Sequence, residues 1–122
     1  MNFVYYAEFA PKATEVEKLI EEIEGFHSLR EGWDGENAAP PLEAAIHQAG
    51  LFVRAAGSSA IGLEATAHVD GSIILEIGDG SRGSFRFKGN KKVVYATESH
   101  GSGVVEFSGR AIPQELLQAL SG

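Results

Sequence analysis

Residues 29–46 read LREGWDGENAAPPLEAAI, and this stretch divides the chain into its parts. Trp33, the only tryptophan, stands in a segment from Glu31 to Pro41 that is rich in glycine, alanine and proline. Gly32, Gly35 and the Pro40-Pro41 pair in this segment predict a loop. Because an indole can bury up to ~250 Å² and carries one N–H donor, we expect Trp33 to close the core, with the Asp34-Gly35 turn holding it inward. The alternative is an indole that stacks on a ligand or on a partner protein.

The segments on both sides of this loop have the spacing of amphipathic helices. Thr14 begins a capping-box pattern, after which apolar residues recur every three or four positions with glutamates on the opposite side. Pro41 suits the first turn of a second helix, and Gly57 is placed to end it. The sequence therefore predicts one helix over residues 14–30 and another from Pro41 to Gly57.

Before the first helix and after residue 63, apolar residues alternate with a period of two, which predicts β-strands. The pairs Asp70-Gly71 and Gly89-Asn90 are turn formers, and each is predicted to make a two-residue hairpin loop. A short helix is predicted to begin at Pro113. The predicted strands are residues 3–9, 64–69, 73–77, 84–88, 91–97 and 104–107.

Helices followed by a run of hairpins indicate an α+β fold. We expect a single α+β domain over residues 1–122. Its sheet should be a twisted antiparallel meander of about four to six strands. The two main helices should pack on one face of that sheet, and the short helix should follow at the C-terminus.

Composition limits the classes of function. The chain has 122 residues, of which 43% are hydrophobic, so one core is within reach. Cysteine is absent, which excludes disulfides, thiol catalysis and thiolate metal sites. No apolar run approaches the ~20 residues that cross a bilayer. The N-terminus also lacks the basic start of a secretory signal, so we expect a cytoplasmic protein without a membrane partner.

The charged residues are unevenly distributed. The net charge is −7, which disfavours direct binding to nucleic acid. Of 17 acidic residues, eight lie between Glu15 and Glu36, and of 10 basic residues, five lie between Arg82 and Lys92. Such asymmetry is typical either of two solvated faces or of an interaction surface.

The predicted second hairpin sets Lys88 opposite Lys91 and Arg86 opposite Val93, so that Arg86, Lys88 and Lys91 share a face. Lysines at a sheet edge keep a protein soluble and block aggregation. The alternative is a patch that receives an acidic partner, including the glutamate-rich helix of a second copy.

The acidic arm allows a further hypothesis, in which its carboxylates compete with phosphates for a nucleic-acid enzyme. The predicted partner-binding residues are Arg86, Lys88, Lys91, Glu21, Glu24 and Asp34.

Two motifs resemble those of a known family. G-W-D-G-x-x-A-x-P spans Gly32–Pro40, and D-G-x-I-x-L-E spans Asp70–Glu76. Together they resemble a widespread family of small uncharacterised proteins from bacteria and mobile elements, with a W-D-G-x-G-A-x-P loop and a D-G-x-I-x-L-E-W strand. Ile77 stands where that family often has tryptophan. The resemblance supports the fold and a bacterial or phage origin, and it implies no activity. The structural role expected of Asp70 and Gly71 rests on their hairpin signal.

No motif in the chain carries a recognisable catalytic or metal-binding pattern. The four histidines are scattered, and none forms the i, i+4 helical pair of a zinc enzyme. Asp34, Glu36 and Asn37 lack the spacing of a calcium loop. We therefore expect no catalytic residues, no metal and no cofactor.

The sequence favours a non-enzymatic small acidic protein that binds a macromolecular partner. Such a protein would be an accessory, antitoxin-like or anti-defence inhibitor, with a protein partner or a homodimer. The alternative is a small enzyme or ligand-binding domain with a pocket between sheet and helices. That pocket would use Trp33, His68 and Glu76, although the strand pattern places Glu76 on the side away from Ile73 and Leu75.

Overall fold

The computed structural model describes residues 15–108 and 111–120. The first helix, α1, occupies residues 15–25 and is extended by one 3-10 turn at Phe26–Ser28. Leu19 and Ile23 lie one turn apart and are buried, while the glutamates between them are exposed. This agrees with the predicted amphipathic helix. The strand predicted for residues 3–9 lies outside the described residues.

The second helix, α2, spans Glu43–Ala56 and ends at Gly57, whose positive φ of 57° is a conformation that glycine adopts easily. It begins two residues later than predicted because Leu42 remains extended and its N–H donates to the carbonyl of Gly71. Small buried residues on α2 allow the helix to approach the sheet closely. They are Ala45, Ala49 and Gly50.

Five antiparallel strands follow in the order β1-β2-β3-β4-β5, each paired with the next along the chain. A short helix, α3, then covers Gln114–Leu120. The α+β class, the antiparallel meander and the C-terminal helix are therefore as the sequence predicted. The strands are β1 Leu63–Ala67, β2 Ile73–Ile77, β3 Gly83–Phe87, β4 Lys92–Thr97 and β5 Gly101–Glu106.

The helices and one face of the sheet, here called the inner face, enclose the core. The ring of Phe52 on α2 lies 5.0 Å from that of Phe85 and 5.6 Å from that of Phe87. All three rings are fully buried, and buried residues of α1 and α3 belong to the same cluster. Alternate strand residues point to the outer face, where Val104 is 59% exposed.

The loop between β1 and β2 differs from the predicted two-residue turn. His68 N–H donates to the Ser72 carbonyl at 2.9 Å, and Gly71 N–H donates to the His68 carbonyl at 3.0 Å. The loop therefore contains three residues, Val69–Gly71, with Gly71 at φ 91°. A three-residue hairpin loop of this kind needs a residue with positive φ at its last position, which explains the glycine.

The pairing predicted for the second hairpin is wrong by one position. Phe87 lies opposite Val93 and Arg86 opposite Val94. Lys88 and Lys91 therefore lie in the turn, outside the paired strands, and do not oppose each other in a ladder. Residues 88–91 form this turn, and Lys92 follows as the first residue of β4, opposite Glu106. The side chain of Asn90 accepts the N–H of Lys92 at 2.8 Å.

Candidate functional site

The Trp33 loop is closed by hydrogen bonds of its own. The half-buried indole packs against the core, and its Nε1 donates to the Ala39 carbonyl at 2.9 Å. Asp34 Oδ1 accepts the N–H groups of Glu36 at 2.9 Å and of Ala38 at 3.1 Å. The hydrogen bond from the Glu36 backbone is the main reason that the pKa of Asp34 is lowered. Gly35, at φ 88°, makes the turn between them.

A second polar cluster fixes the β1–β2 loop from the outer face of the sheet. Arg86 Nε donates to Ser72 Oγ at 3.1 Å, and its Nη2 donates to Asp70 Oδ2 at 3.2 Å. Ser72 donates both its hydroxyl, at 2.6 Å, and its backbone N–H, at 2.9 Å, to Asp70 Oδ1. The predicted partner-binding residue Arg86 thus has intramolecular partners, while 33% of its side chain remains exposed.

Two opposing influences act on the pKa of Asp70. Partial burial raises it, but the hydrogen bonds from Ser72 and His68 and the charge of Arg86 outweigh burial and hold it well below its usual value. His68 Nδ1 lies 3.0 Å from both Asp70 Oδ1 and Arg86 Nη2. A neutral ring with a bare Nδ1 accepts from Arg86, whereas a protonated ring donates to Asp70. Ser72 is buried and donates its hydroxyl to a carboxylate, so this cluster lacks an accessible nucleophile.

We define the cationic turn as residues 88–92, which carry Lys88, Lys91 and Lys92. This segment is held against α2. Gln48 is 5% exposed, and its Nε2 donates to the carbonyls of Asn90 at 2.8 Å and Phe107 at 2.9 Å. All three lysines are exposed. Over residues 15–108 and 111–120, their ammonium groups form no ion pair or hydrogen bond.

Leu42 connects the two hairpin ends. A Cβ built on Gly71 would lie 3.1 Å from Leu42 Cγ, and one built on Gly89 would lie 2.9 Å from Leu42 Cδ1. Leu42 therefore lies between the β1–β2 loop and the cationic turn, and both loops approach it through a glycine. Despite these contacts, 46% of Leu42 is exposed.

An open depression of about 260 Å³, here called the acidic hollow, lies beside the β1–β2 loop. Val69 is 48% exposed and forms part of its lining, and the Val69 carbonyl accepts the N–H of Ala39. The acidic hollow is lined by Asp34, Glu36, Asn37, Ala38 and Val69. We call the combined area the loop-end surface: Leu42 and Val69 at the centre, the cationic turn on one side and the acidic hollow on the other.

Two of the predicted partner-binding acids, Glu21 and Glu24, lie on α1. Glu21 is exposed, and Glu24 pairs with Arg54 of α2 at 3.2 Å. Both partners of that ion pair are more than half exposed, so the pair contributes little to stability. It lies at a cleft of about 400 Å³ between α1 and α2 that His27 and His47 also line. The structure thus brings Asp34, Lys88 and Lys91 to the loop end and leaves Glu21 and Glu24 on α1.

The residues predicted for an enzyme pocket do not converge. Trp33 packs on the core, whereas Glu76 lies on the outer face, opposite Glu64 in the ladder. His68 bonds within the Asp70 cluster, away from Glu76. Within the described part of the chain, no group of three or more histidine, aspartate or glutamate residues could hold a metal ion.

Sequence reasoning missed the two residues that shape the loop end, Leu42 and Gln48. Gln48 did carry a signal, because it stands among Ala45, Ala49 and Phe52 on the apolar side of α2, where a polar side chain needs a partner. Leu42 carried none, because its role depends on glycines that are distant in the sequence.

Comparisons with protein-family models, with curated proteins and with solved structures find no match to this chain. None of the helices within residues 15–108 and 111–120 is both long enough and apolar enough to cross a bilayer.

Proposed function

We propose that this protein acts without catalysing a reaction, by binding a protein partner through the loop-end surface. One observation carries the proposal: three lysines with free ammonium groups are presented on a turn that the buried Gln48 amide holds in place, beside exposed Leu42 and Val69. Exposed apolar residues bordered by charge are the usual composition of a protein–protein contact.

The way the turn is held favours binding. Ordering a loop when a partner arrives costs free energy, and a turn that is already fixed avoids most of that cost. Gln48 and Leu42 both hold the cationic turn in the free protein. The lysines would speed encounter with an acidic partner, and the apolar centre would supply the contact that excludes water.

The proposal extends to the biological role that the sequence suggested. A small acidic protein that resembles a family from bacteria and mobile elements fits an accessory or inhibitor protein of the cytoplasm, of the antitoxin-like or anti-defence kind. The alternative, a small enzyme or ligand-binding domain, has less support because Trp33, His68 and Glu76 do not meet in one pocket.

The test is a quantitative crosslinking pull-down from bacterial lysate with three forms of the chain. These are the wild type, the double variant Lys88→Glu/Lys91→Glu and the control Lys18→Glu. Lys18 is exposed on α1, away from the loop end, so the control makes the same lysine-to-glutamate change at a different place on the surface. We expect wild type and control to recover the same crosslinked protein, and the double variant to lose at least ~10-fold of it because of like-charge contact. Equal recovery with all three forms, together with a chain that is monomeric in solution, would contradict the proposal.

A further inference from the structure

We infer that the partner at the loop-end surface is a second copy of this chain. This inference rests on the proposed function and names its partner. The loop-end surface carries opposite charges at its two ends and apolar side chains in the middle. A surface of that kind can pair with itself.

Contacts within the chain fix the order of these parts. The acidic hollow shares Val69 with the β1–β2 loop, and the glycine of that loop, Gly71, abuts Leu42. Leu42 in turn abuts Gly89 of the cationic turn. The order of features across the surface is therefore acidic, apolar, basic.

A two-fold axis through the apolar centre is compatible with this order of acidic, apolar and basic parts. Rotation by 180° about an axis that lies in the plane of the surface, perpendicular to the line between its two ends, exchanges those ends and places the second copy against the first. The cationic turn of each copy then faces the acidic hollow of the other, while Leu42 and Val69 meet their own equivalents. Two-fold dimers are the commonest oligomers, and they require a self-complementary patch of this kind. The charge contact occurs twice, once on each side of the axis.

The charges available on the surface also favour a second copy over an acidic protein. An acidic partner would match Lys88 and Lys91 but would repel the carboxylates of Asp34 and Glu36 in the acidic hollow. Arg86 adds no free positive charge to change this balance, because Asp70 pairs with it. A copy of the chain satisfies both ends at once, although its net charge of −7 opposes association over longer distances.

The first experiment measures the mass of the purified full chain in solution. The monomer has a mass of 13.0 kDa, and sedimentation velocity together with native mass spectrometry distinguishes it from a dimer. We expect a dimer whose dissociation constant rises with ionic strength, since the contacts at its two ends are ionic and exposed. A chain that remains monomeric up to ~1 mM, the weak end of specific binding, overturns the inference.

The second experiment exchanges charges between the two ends. The variants are Glu36→Lys in the acidic hollow and Lys88→Glu/Lys91→Glu in the cationic turn. Asp34 is left unchanged because its carboxylate holds the Trp33 loop together. Each variant alone places like charges in contact at both ends, so we expect each to weaken dimerisation at least ~100-fold. Circular dichroism verifies that each variant is folded.

Mixing the two variants gives the decisive result. The Glu36→Lys copy keeps its lysine turn and meets the intact acidic hollow of the other variant. The lysine introduced at position 36, in turn, meets the carboxylates introduced at positions 88 and 91. Both contacts become attractive again, so the mixture should form a heterodimer that native mass spectrometry identifies by mass. The control Lys18→Glu should dimerise like the wild type.

These outcomes separate the inference from the proposed function. A dimer that neither charge variant weakens, or a mixture that forms no heterodimer, overturns the inference. If the chain is monomeric yet the lysine variant still loses a crosslinked host protein, the proposed function stands and the partner is a different protein. If the chain dimerises as described and no host protein is lost, the self-association is the binding function.

Discussion

At the scale of single residues, Gly103 on β5 provides the space for a tyrosine. Gly103 lies opposite Tyr95 of β4, and a Cβ at this position would lie 2.8 Å from the Tyr95 hydroxyl oxygen and 2.9 Å from two ring carbons. The Tyr95 hydroxyl donates to Glu115 of α3 at 2.7 Å, and this hydrogen bond is the main reason that the pKa of Tyr95 is raised. One missing side chain thus allows β4 to hold the C-terminal helix.

The change Gly103→Ala should therefore destabilise the protein. The added methyl group displaces the phenol ring and weakens its hydrogen bond to Glu115, which we expect to lower the free energy of unfolding by about 1–3 kcal/mol. Urea denaturation at pH 7 measures the effect. The matched control is Gly25→Ala, where nothing lies within 4 Å of the added carbon and φ is −63°. A loss of stability no larger than that of the control would show that Tyr95 moves aside without cost.

Gln48 likewise determines how a neighbouring segment is held, in this case through a polar side chain. It has two carbonyl acceptors for its Nε2, while its buried Oε1 has no partner among the described residues. The change Gln48→Leu removes that unsatisfied oxygen but leaves the buried Phe107 carbonyl without its donor. The second loss is larger, because an unmet buried acceptor costs about 1–3 kcal/mol.

We expect Gln48→Leu to lower the free energy of unfolding by about 1–2 kcal/mol. It should also speed hydrogen exchange in the cationic turn, because the amide no longer holds the Asn90 carbonyl. Thermal denaturation and hydrogen-exchange mass spectrometry measure the two effects. His47→Leu, at the exposed neighbouring position of α2, should change stability by less than ~0.5 kcal/mol. Unchanged exchange at residues 88–92 would contradict the assigned role of Gln48.

At the scale of elements, the start of α2 is attached to two hairpins through Leu42. Gly89 has φ 80°, and a Cβ there would lie 2.9 Å from Leu42 Cδ1. Gly89→Ala therefore combines an unfavourable backbone conformation with a clash, and should cost about 2 kcal/mol. Leu42→Ala removes the 2.9 Å contact with Cδ1 but keeps the Cβ contact at 3.2 Å and the backbone strain.

A double-mutant cycle separates these two costs. In the background of Leu42→Ala, the change Gly89→Ala should cost less than in the wild type, with a coupling energy of about 0.5–1 kcal/mol. Urea denaturation of the four proteins gives this number. Additive effects within error would mean that the turn and the helix are not in firm contact, and the loop-end surface would then not be fixed in the free chain.

The elements also show how much of the fold could be predicted from the sequence. Helical spacing located α1 and α2, and the period of two located four strands and the second half of the fifth. Both patterns are local and are read directly from buried positions such as Ile23 and Phe52. The prediction for β5 began at Val104, three residues after its observed start, because glycine and serine show no apolar alternation. The hairpin pairing at Gly89-Asn90 was not local. Gln48 and Leu42 hold the turn from α2, and contacts between residues so far apart cannot be seen in the sequence of the turn itself.

The same limit applied to the candidate site. Sequence reasoning gave Arg86 a partner-binding role but could not show that its guanidinium bonds to Asp70 and Ser72, because those contacts join separate segments of the chain. The lysines of the turn were recognisable as charged and exposed. Their position beside Leu42 and Val69 was not, because it depends on how three separate loops meet.

At the scale of the whole molecule, each strand pairs with its neighbour along the chain, so the sheet forms mainly from contacts between nearby segments. The ends of the hairpins and the Trp33 loop are then fixed by aspartates that accept N–H groups. Asp34, Asp70 and Asp79 each accept the backbone N–H of the residue two positions later, and the pKa of each is lowered. The loops of this acidic protein thus depend on ionised carboxylates.

The dependence of stability on pH follows from two opposing effects. From pH 7 towards the sequence pI of about 5.0, the net charge of −7 diminishes and self-repulsion falls, so the free energy of unfolding should rise slightly. The lowered pKa values of the three aspartates act in the other direction. A carboxyl group whose pKa is lower in the folded state stabilises the fold above its unfolded pKa, here 3.8, and loses that contribution as pH falls further. Stability should therefore be greatest near pH 5 and should decrease below about pH 4.

The variant Asp70→Asn tests which carboxylate dominates this acid loss. Nearly half of the Asp70 side chain is exposed, so solvent screens its pairing with Arg86, and the variant should lose only about 1 kcal/mol at pH 7. The difference from wild type should shrink as pH falls from 4 towards 2, because the carboxyl group of Asp70 is then protonated in the unfolded chain and its contribution to folding is progressively lost. Urea denaturation at fixed ionic strength and protein concentration, repeated from pH 2 to 8, measures both curves.

Asp79→Asn serves as the comparison, since Asp79 accepts a hydrogen bond from Ser81 but has no arginine partner among the described residues and should matter less. If the gap between Asp70→Asn and wild type were constant across this range, the ionised carboxylate would not be what fixes the β1–β2 loop, and the backbone hydrogen bonds from Ala39 to Val69 and from Leu42 to Gly71 would hold it instead.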